Sequence, residues 1–181
     1  SWLYKRPMVV KISSPTGFIG NVPFFAFQSQ ITSQESILEI NNLKFRTQTG
    51  NFSLAGNLNV TKPSPIFRLT MEGNNLPAKE ILQLISTDAP DSLSGLLTGQ
   101  LTLNGKSTNA SDMVGDGKIT VNQLKFEKYS ADKYISTFQI KNGRIQLGDS
   151  RLEFPKSSVK IIGWLDFNQN VDLKFKGSIE N

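Results

Sequence analysis

The chain has no cysteine and no histidine among its 181 residues. The first absence excludes disulfides and thiolate chemistry, and leaves the redox compartment unmarked. The second removes the commonest general base, the Ser-His triad and the commonest metal ligand. No catalytic residue, metal or cofactor is expected, and the chain is read as a non-enzyme. Runs of one charge are missing too. Lys and Arg number 20 and Asp and Glu 15, a net charge of +5, but the cations stand singly along the chain. A nucleic-acid reader gathers its cations beside aromatic platforms, so no nucleic-acid partner is expected. The +5 reads as a solvated sheet face, with weak attraction to an anionic membrane surface as the alternative. No apolar run reaches the roughly 18 residues of a membrane-spanning helix. The chain does not begin with Met and carries no recognisable leader. Residues 1–181 are therefore read as a single β-rich segment of a larger protein.

What is present is a strand pattern that occurs twice. One copy is Phe52-Ser53-Leu54-Ala55-Gly56-Asn57-Leu58-Asn59-Val60, followed by Phe67-Arg68-Leu69-Thr70-Met71-Glu72-Gly73. The other is Val159-Lys160-Ile161-Ile162-Gly163-Trp164-Leu165-Asp166-Phe167, followed by Val171-Asp172-Leu173-Lys174-Phe175-Lys176-Gly177. Large apolar residues fall two apart, with mostly polar residues between them. Such strands bury one face of a sheet and wet the other. Each copy carries a mid-strand glycine and a partner strand that ends in glycine. A repeated hairpin implies a sheet that grows by addition of units.

Elsewhere, Ser14-Pro15-Thr16-Gly17 reads as a turn, and Phe24 to Phe27 as a strand either buried on both faces or packed against a neighbouring unit outside this segment. An Asn41-Asn42 turn separates Ile40 from Leu43. Asn74-Asn75-Leu76-Pro77 begins a helix of about ten residues with Pro77 in its first turn, and Asp88 to Asp91 ends it. Gly95 to Gly105 returns to strand, and Lys106 to Asp116 is a polar loop with at most one helical turn. Leu124 and Phe126 break the parity set by Ile119 and Val121, which places a bulge at Asn122-Gln123. Asn142-Gly143 is a two-residue hairpin turn. Asp88 with Asp91, and Asp112 with Asp116, lack the ligand spacing of a calcium loop and read as turns. The fold class is all-β: a curved, largely antiparallel, repeat-built sheet, an open trough or β-taco, with one or two short helices.

Leu93-Ser94-Gly95-Leu96-Leu97-Thr98-Gly99-Gln100-Leu101-Thr102-Leu103-Asn104-Gly105, with Val114 to Val121 after a polar spacer, resembles the glycine-punctuated core of AsmA-like proteins. Val159 to Phe175 is similar to their closing hairpin, and the strand and short helix between Phe67 and Ile85 also fit. The resemblance covers residues 50–177, and residues 1–35 match less well. This family, with its TamB-like members, implies a trough in the periplasm of a diderm bacterium. The inner-membrane anchor is expected outside this segment. The trough would carry phospholipid or another acyl-chain ligand between the two membranes, with outer-membrane assembly proteins as further partners. The apolar lining is then expected from Phe52, Leu54, Leu58 and Val60, from Phe67, Leu69 and Met71, and from Leu101, Leu103, Ile119 and Val121. The closing hairpin adds Val159, Ile161, Leu165, Phe167, Leu173 and Phe175. Two readings compete: a scaffold or chaperone of outer-membrane protein assembly that pairs its strand edge with clients, and an extracellular β-sandwich adhesion module.

Overall fold

The computed structural model describes residues 7–20, 22–61, 65–85, 90–107, 109–168 and 170–179. Among them are the strands β1 (Met8–Ile19), β2 (Val22–Gln34), β3 (Ile37–Arg46), β4 (Asn51–Asn59) and β5 (Ile66–Pro77). The helix α1 (Ala78–Ile85) separates these from β6 (Ser94–Gly105), β7 (Met113–Phe126), β8 (Tyr129–Lys141), β9 (Arg144–Phe154), β10 (Ser157–Asp166) and β11 (Val171–Ile179). All belong to one antiparallel sheet in sequence order, curved and unclosed, with β1 and β11 as free edges. The expected all-β class holds. The molecule exposes 12161 Å², whereas a compact 20.1 kDa monomer exposes about 8,700 Å². A single layer accounts for the excess.

Five strands carry an extra residue. Register shifts fall at Ala26 in β2, Asn41-Asn42 in β3 and Asn74-Asn75 in β5. Two more fall at Gln123 in β7 and Gly148-Asp149 in β9. Ala26, Asn75 and Gln123 have positive φ. A bulge bends its strand and resets which side chains face which way. The Gln123 bulge falls where the parity break places it. Gly95 and Gly163 are both at φ 142; Gly95 stands opposite the β7 bulge, and Gly163, paired with Leu147, stands beside the β9 bulge. A Cβ on Gly163 would strike the Asp172 carbonyl, so only glycine fits there. Gly56 and Gly99 have ordinary φ, and a Cβ on either would meet the backbone of the next strand.

Several local expectations are corrected. Ser14-Pro15-Thr16-Gly17 is not a turn: β1 runs through it, pairing Ser14 with Phe27 and Thr16 with Phe25. An edge strand tolerates proline because one flank needs no donor. Asn41-Asn42 is a bulge inside β3. Leu76 and Pro77 are still strand, paired with Leu97 and Leu96, and α1 starts one residue later. Gly73 lies inside β5, not at its end. Phe25 is 40% exposed, so β2 is not buried on both faces. Met113 already begins β7, after one 3₁₀ turn at Ala110–Asp112, so the polar loop is shorter than expected. Asn142-Gly143 is the expected tight turn, with positive φ at both residues. Residues 62–64 of the first connection and 86–89 of the helix exit lie outside the described residues.

The nearest approach to a closed core is under α1. The helix packs on β5 and β6 and also reaches β2, three strands away in the sheet. Val22, Leu76, Ala78 and Phe45 are buried there, at 1%, 2%, 6% and 5% exposure. Phe24 contacts Phe27 and Phe45, and Phe45 stacks on Phe52 with centroids 5.0 Å apart. Helix and phenylalanines together fill one end of the face over β2 to β6.

Candidate functional site: an uncovered apolar face

Partners across an antiparallel ladder lie on the same face. Following the partners gives rows of side chains that cross the whole sheet. One row is Val10, Ile31, Ile40, Gly56, Leu69, Leu103, Gly115, Ile140, Ile145, Leu165 and Val171. It meets every strand and contains no polar side chain. The next row is Ile12, Ser29, Leu43, Leu54, Met71, Leu101, Gly117, Phe138, Leu147, Gly163 and Leu173. Between them these rows cross eleven strands, about 48 Å at roughly 4.8 Å per strand. On β6 the apolar positions Leu97 to Leu103 span about 20 Å along the strand.

The bulges make these rows possible. Ile40 and Leu43, like Leu147 and Ser150, are three residues apart, and in a regular strand they would face opposite ways. The extra residue returns each pair to one side. Large and small side chains then interlock across strands. The Phe67 ring lies where a Cβ of Gly105 would be, and the Phe138 ring where that of Gly117 would be.

Burial falls on this side of the sheet. Val121, Ile140 and Ile161 are at most 8% exposed, while Lys118, Gln139 and Lys160 of the other face are exposed. No second layer lies above them among the described residues, so this burial comes from the curl of the sheet and the interlocked neighbours. The opposite face is polar and holds its own charges. Arg151 bonds Glu153 and Asp149 at 2.8 and 3.0 Å; the Glu153 hydrogen bond, aided by both carboxylates' charge, raises the guanidinium pKa. The Arg144 guanidinium lies 4.2 Å from the Trp164 ring centroid. Shallow concavities open on this polar face, among Ser53, Glu72, Gln100 and Lys118, beside the β1 edge, and near the β7–β8 tip among Leu124, Lys125 and Ser130. The apolar face is thus a surface packed with side chains, not a cavity.

Polar atoms are few on the apolar face. Ser136 and Ser150 bond each other at 2.6 Å and are 1% and 0% exposed. Ser29 is 6% exposed, and its hydroxyl has no partner among the described residues.

Most of the expected lining residues come together here. Leu69, Leu103 and Leu165 lie in the first row, and Leu54, Met71, Leu101 and Leu173 in the second. Phe52, Ile119, Ile161 and Phe175 share a third row, which runs through Gly73, Gly99, Ser136 and Ser150. Leu58 pairs with Phe67, and Val121 and Val159 join through Tyr134 and Leu152. Val60 and Phe167 do not join them. Each lies just past its strand, 41% and 45% exposed, because the chain has already turned. Sequence reasoning missed Val10, Ile31, Ile40, Ile140 and Ile145, whose alternation is hidden by bulges or lies in strands outside the repeat, and Val171, which sits in the repeat in step with Leu173.

Asp91 pairs with Lys79 at 3.0 Å, and Asp112 accepts a hydrogen bond from Ser107. Among the described residues no group of three acidic side chains could hold a metal, and no helix is long and apolar enough to cross a membrane. No family model, curated protein or solved structure matches the chain.

Proposed function

We propose that this chain is a segment of a periplasmic bridge that carries phospholipid between the inner and outer membranes of a diderm bacterium, as the resemblance to AsmA-like and TamB-like proteins implies. One observation carries the reading: the row from Val10 to Val171 crosses all eleven strands without a polar side chain and, among the described residues, without a covering layer. The dimensions suit the cargo. Half a hydrocarbon core is about 15 Å thick, and the apolar positions of β6 span about 20 Å. Holding two sixteen-carbon tails in water costs about 25 kcal/mol, at roughly 0.8 kcal/mol per methylene. An unbroken apolar row removes most of that cost at every point along the path, so tails slide passively while head groups stay wet.

A photoreactive residue at Leu69 tests this against the same residue at Thr70, its neighbour on the opposite face. The proposal predicts crosslinks to phospholipid tails from Leu69 and none from Thr70. Equal labelling at both positions would discard the lined path.

A second reading has its own observation. The free β1 edge exposes Met8, Val9, Val10 and Ile12 by 57%, 57%, 37% and 48%, and a client strand could pair there during outer-membrane protein assembly. It predicts saturable binding of β-strand peptides that is indifferent to lipid.

A further inference from the structure

The β7–β8 hairpin stands beyond its neighbours. β6 begins at Ser94, opposite Lys125. Towards the same end, the last β8–β9 pair is Lys133 with Glu153. β9 ends one residue further on, at Phe154, level with Asp132, and among the described residues no strand flanks the stretch from Phe126 to Ala131 on its outer sides. Tyr129 projects past the end of β9 by about 10 Å, three residues at roughly 3.3 Å each. Phe126 and Tyr129 are cross-strand partners at this tip, so their rings share a face, and they are 41% and 63% exposed. The Lys128 ammonium lies 5.5 Å from the Tyr129 ring centroid.

Solvent is a poor environment for a projecting Phe-Tyr pair, and a protein interior is not offered to it. The charges around the pair point to what is. Lys125, Lys128 and Lys133 outnumber Glu127 and Asp132 by one, and Lys156 in the next turn adds one more cation. Tyrosine is at home at the level of lipid head groups, and lysines beside it bind lipid phosphates. We propose that this finger docks on the interface of an anionic bilayer, with Phe126 and Tyr129 among the head groups and the lysines on their phosphates. The surface stands on its own residues and does not depend on what the apolar face carries.

The test is sedimentation of the chain with vesicles of phosphatidylcholine alone and of phosphatidylcholine with phosphatidylglycerol. Two net charges at roughly five-fold each give about a twenty-fold preference for the anionic vesicles. Phe126→Ser with Tyr129→Ser lowers the partition roughly ten-fold, and Lys125→Glu with Lys128→Glu removes the preference for anionic lipid. All four positions are exposed, and circular dichroism checks that both variants keep the sheet. Equal partition of the wild type onto the two vesicle types, no partition at all, or wild-type binding by both variants would overturn the proposal. So would binding to a soluble polyanion that matches vesicle binding and survives the two serine substitutions. Crosslinking at Leu69 is read separately, so vesicle docking and lipid carriage can each fail alone.

Discussion

The Ser136 and Ser150 hydroxyls meet at 2.6 Å in the middle of the apolar face, both sealed from solvent. They are directly opposed on β8 and β9, and each excuses the other's burial. Their alternatives differ. Ser136 can also donate to the Thr137 carbonyl at 3.3 Å, whereas Ser150 has only Ser136 among the described residues. Ser136→Ala therefore strands a buried hydroxyl and costs about 1–3 kcal/mol. Ser150→Ala costs less, and the double alanine variant is nearer neutral than Ser136→Ala alone. Denaturant midpoints of the three variants check the order.

Ser29 gives the opposite sign. Its hydroxyl is buried without a partner, so Ser29→Ala removes an unpaid desolvation and stabilises the fold by up to about 1 kcal/mol. A fall in the denaturant midpoint would show that the hydroxyl has a partner in solution.

The turn joining β2 to β3 is strained. Glu35 and Ser36 have φ of 49° and 68°, the two-residue hairpin geometry that Asn-Gly adopts without penalty. Glu35→Asn with Ser36→Gly should stabilise by about 1–2 kcal/mol. For a chain of this size the melting temperature rises by roughly 2–4 °C per kcal/mol, which calorimetry reads directly.

Asp166 ties the turn between β10 and β11. Its carboxylate accepts from the Asn170 side chain and from the Asn170 and Asn168 amides, each at 2.9 Å. The Asn170 side-chain bond is the largest cause of a pKa held below the ordinary value; the backbone bonds and Arg144 lower it further. A carboxylate depressed in the folded state stabilises fully above its unfolded pKa, near 4, and loses that contribution as pH falls through the folded value. The turn should therefore loosen below about pH 4. In Asp166→Asn that acid dependence should disappear, as read by the amide signals of Asn168 and Asn170.

The class of fold was legible in the alternation of Phe52 to Val60 and Val159 to Phe167, because a two-residue period with one wet face has few other solutions. Gly56 opposite Leu69 and Gly163 opposite Leu173 show that the two copies pair alike. The site was legible wherever alternation was regular. It was hidden at Ile40 and at Ile145, since a bulge at Asn41-Asn42 or Gly148-Asp149 shifts parity exactly as a turn would in a one-dimensional reading. Pro15 misled for a different reason: nothing local says that a strand is an edge. Leu76 and Pro77 stay in the sheet because tertiary pairing with Leu97 and Leu96 outweighs proline's preference for a first helical turn.

The most direct test of the account is native mass spectrometry of the purified chain, with solvent extraction of whatever it carries. The account predicts phospholipid on the wild-type chain at near-stoichiometric occupancy. That lipid should be lost from folded Leu69→Asp and Leu101→Asp variants, kept by Thr70→Asp, and kept by Phe167→Asp, whose side chain lies past the end of β10. A well-folded wild-type chain with no lipid, or lipid that Leu69→Asp and Leu101→Asp retain, would contradict it.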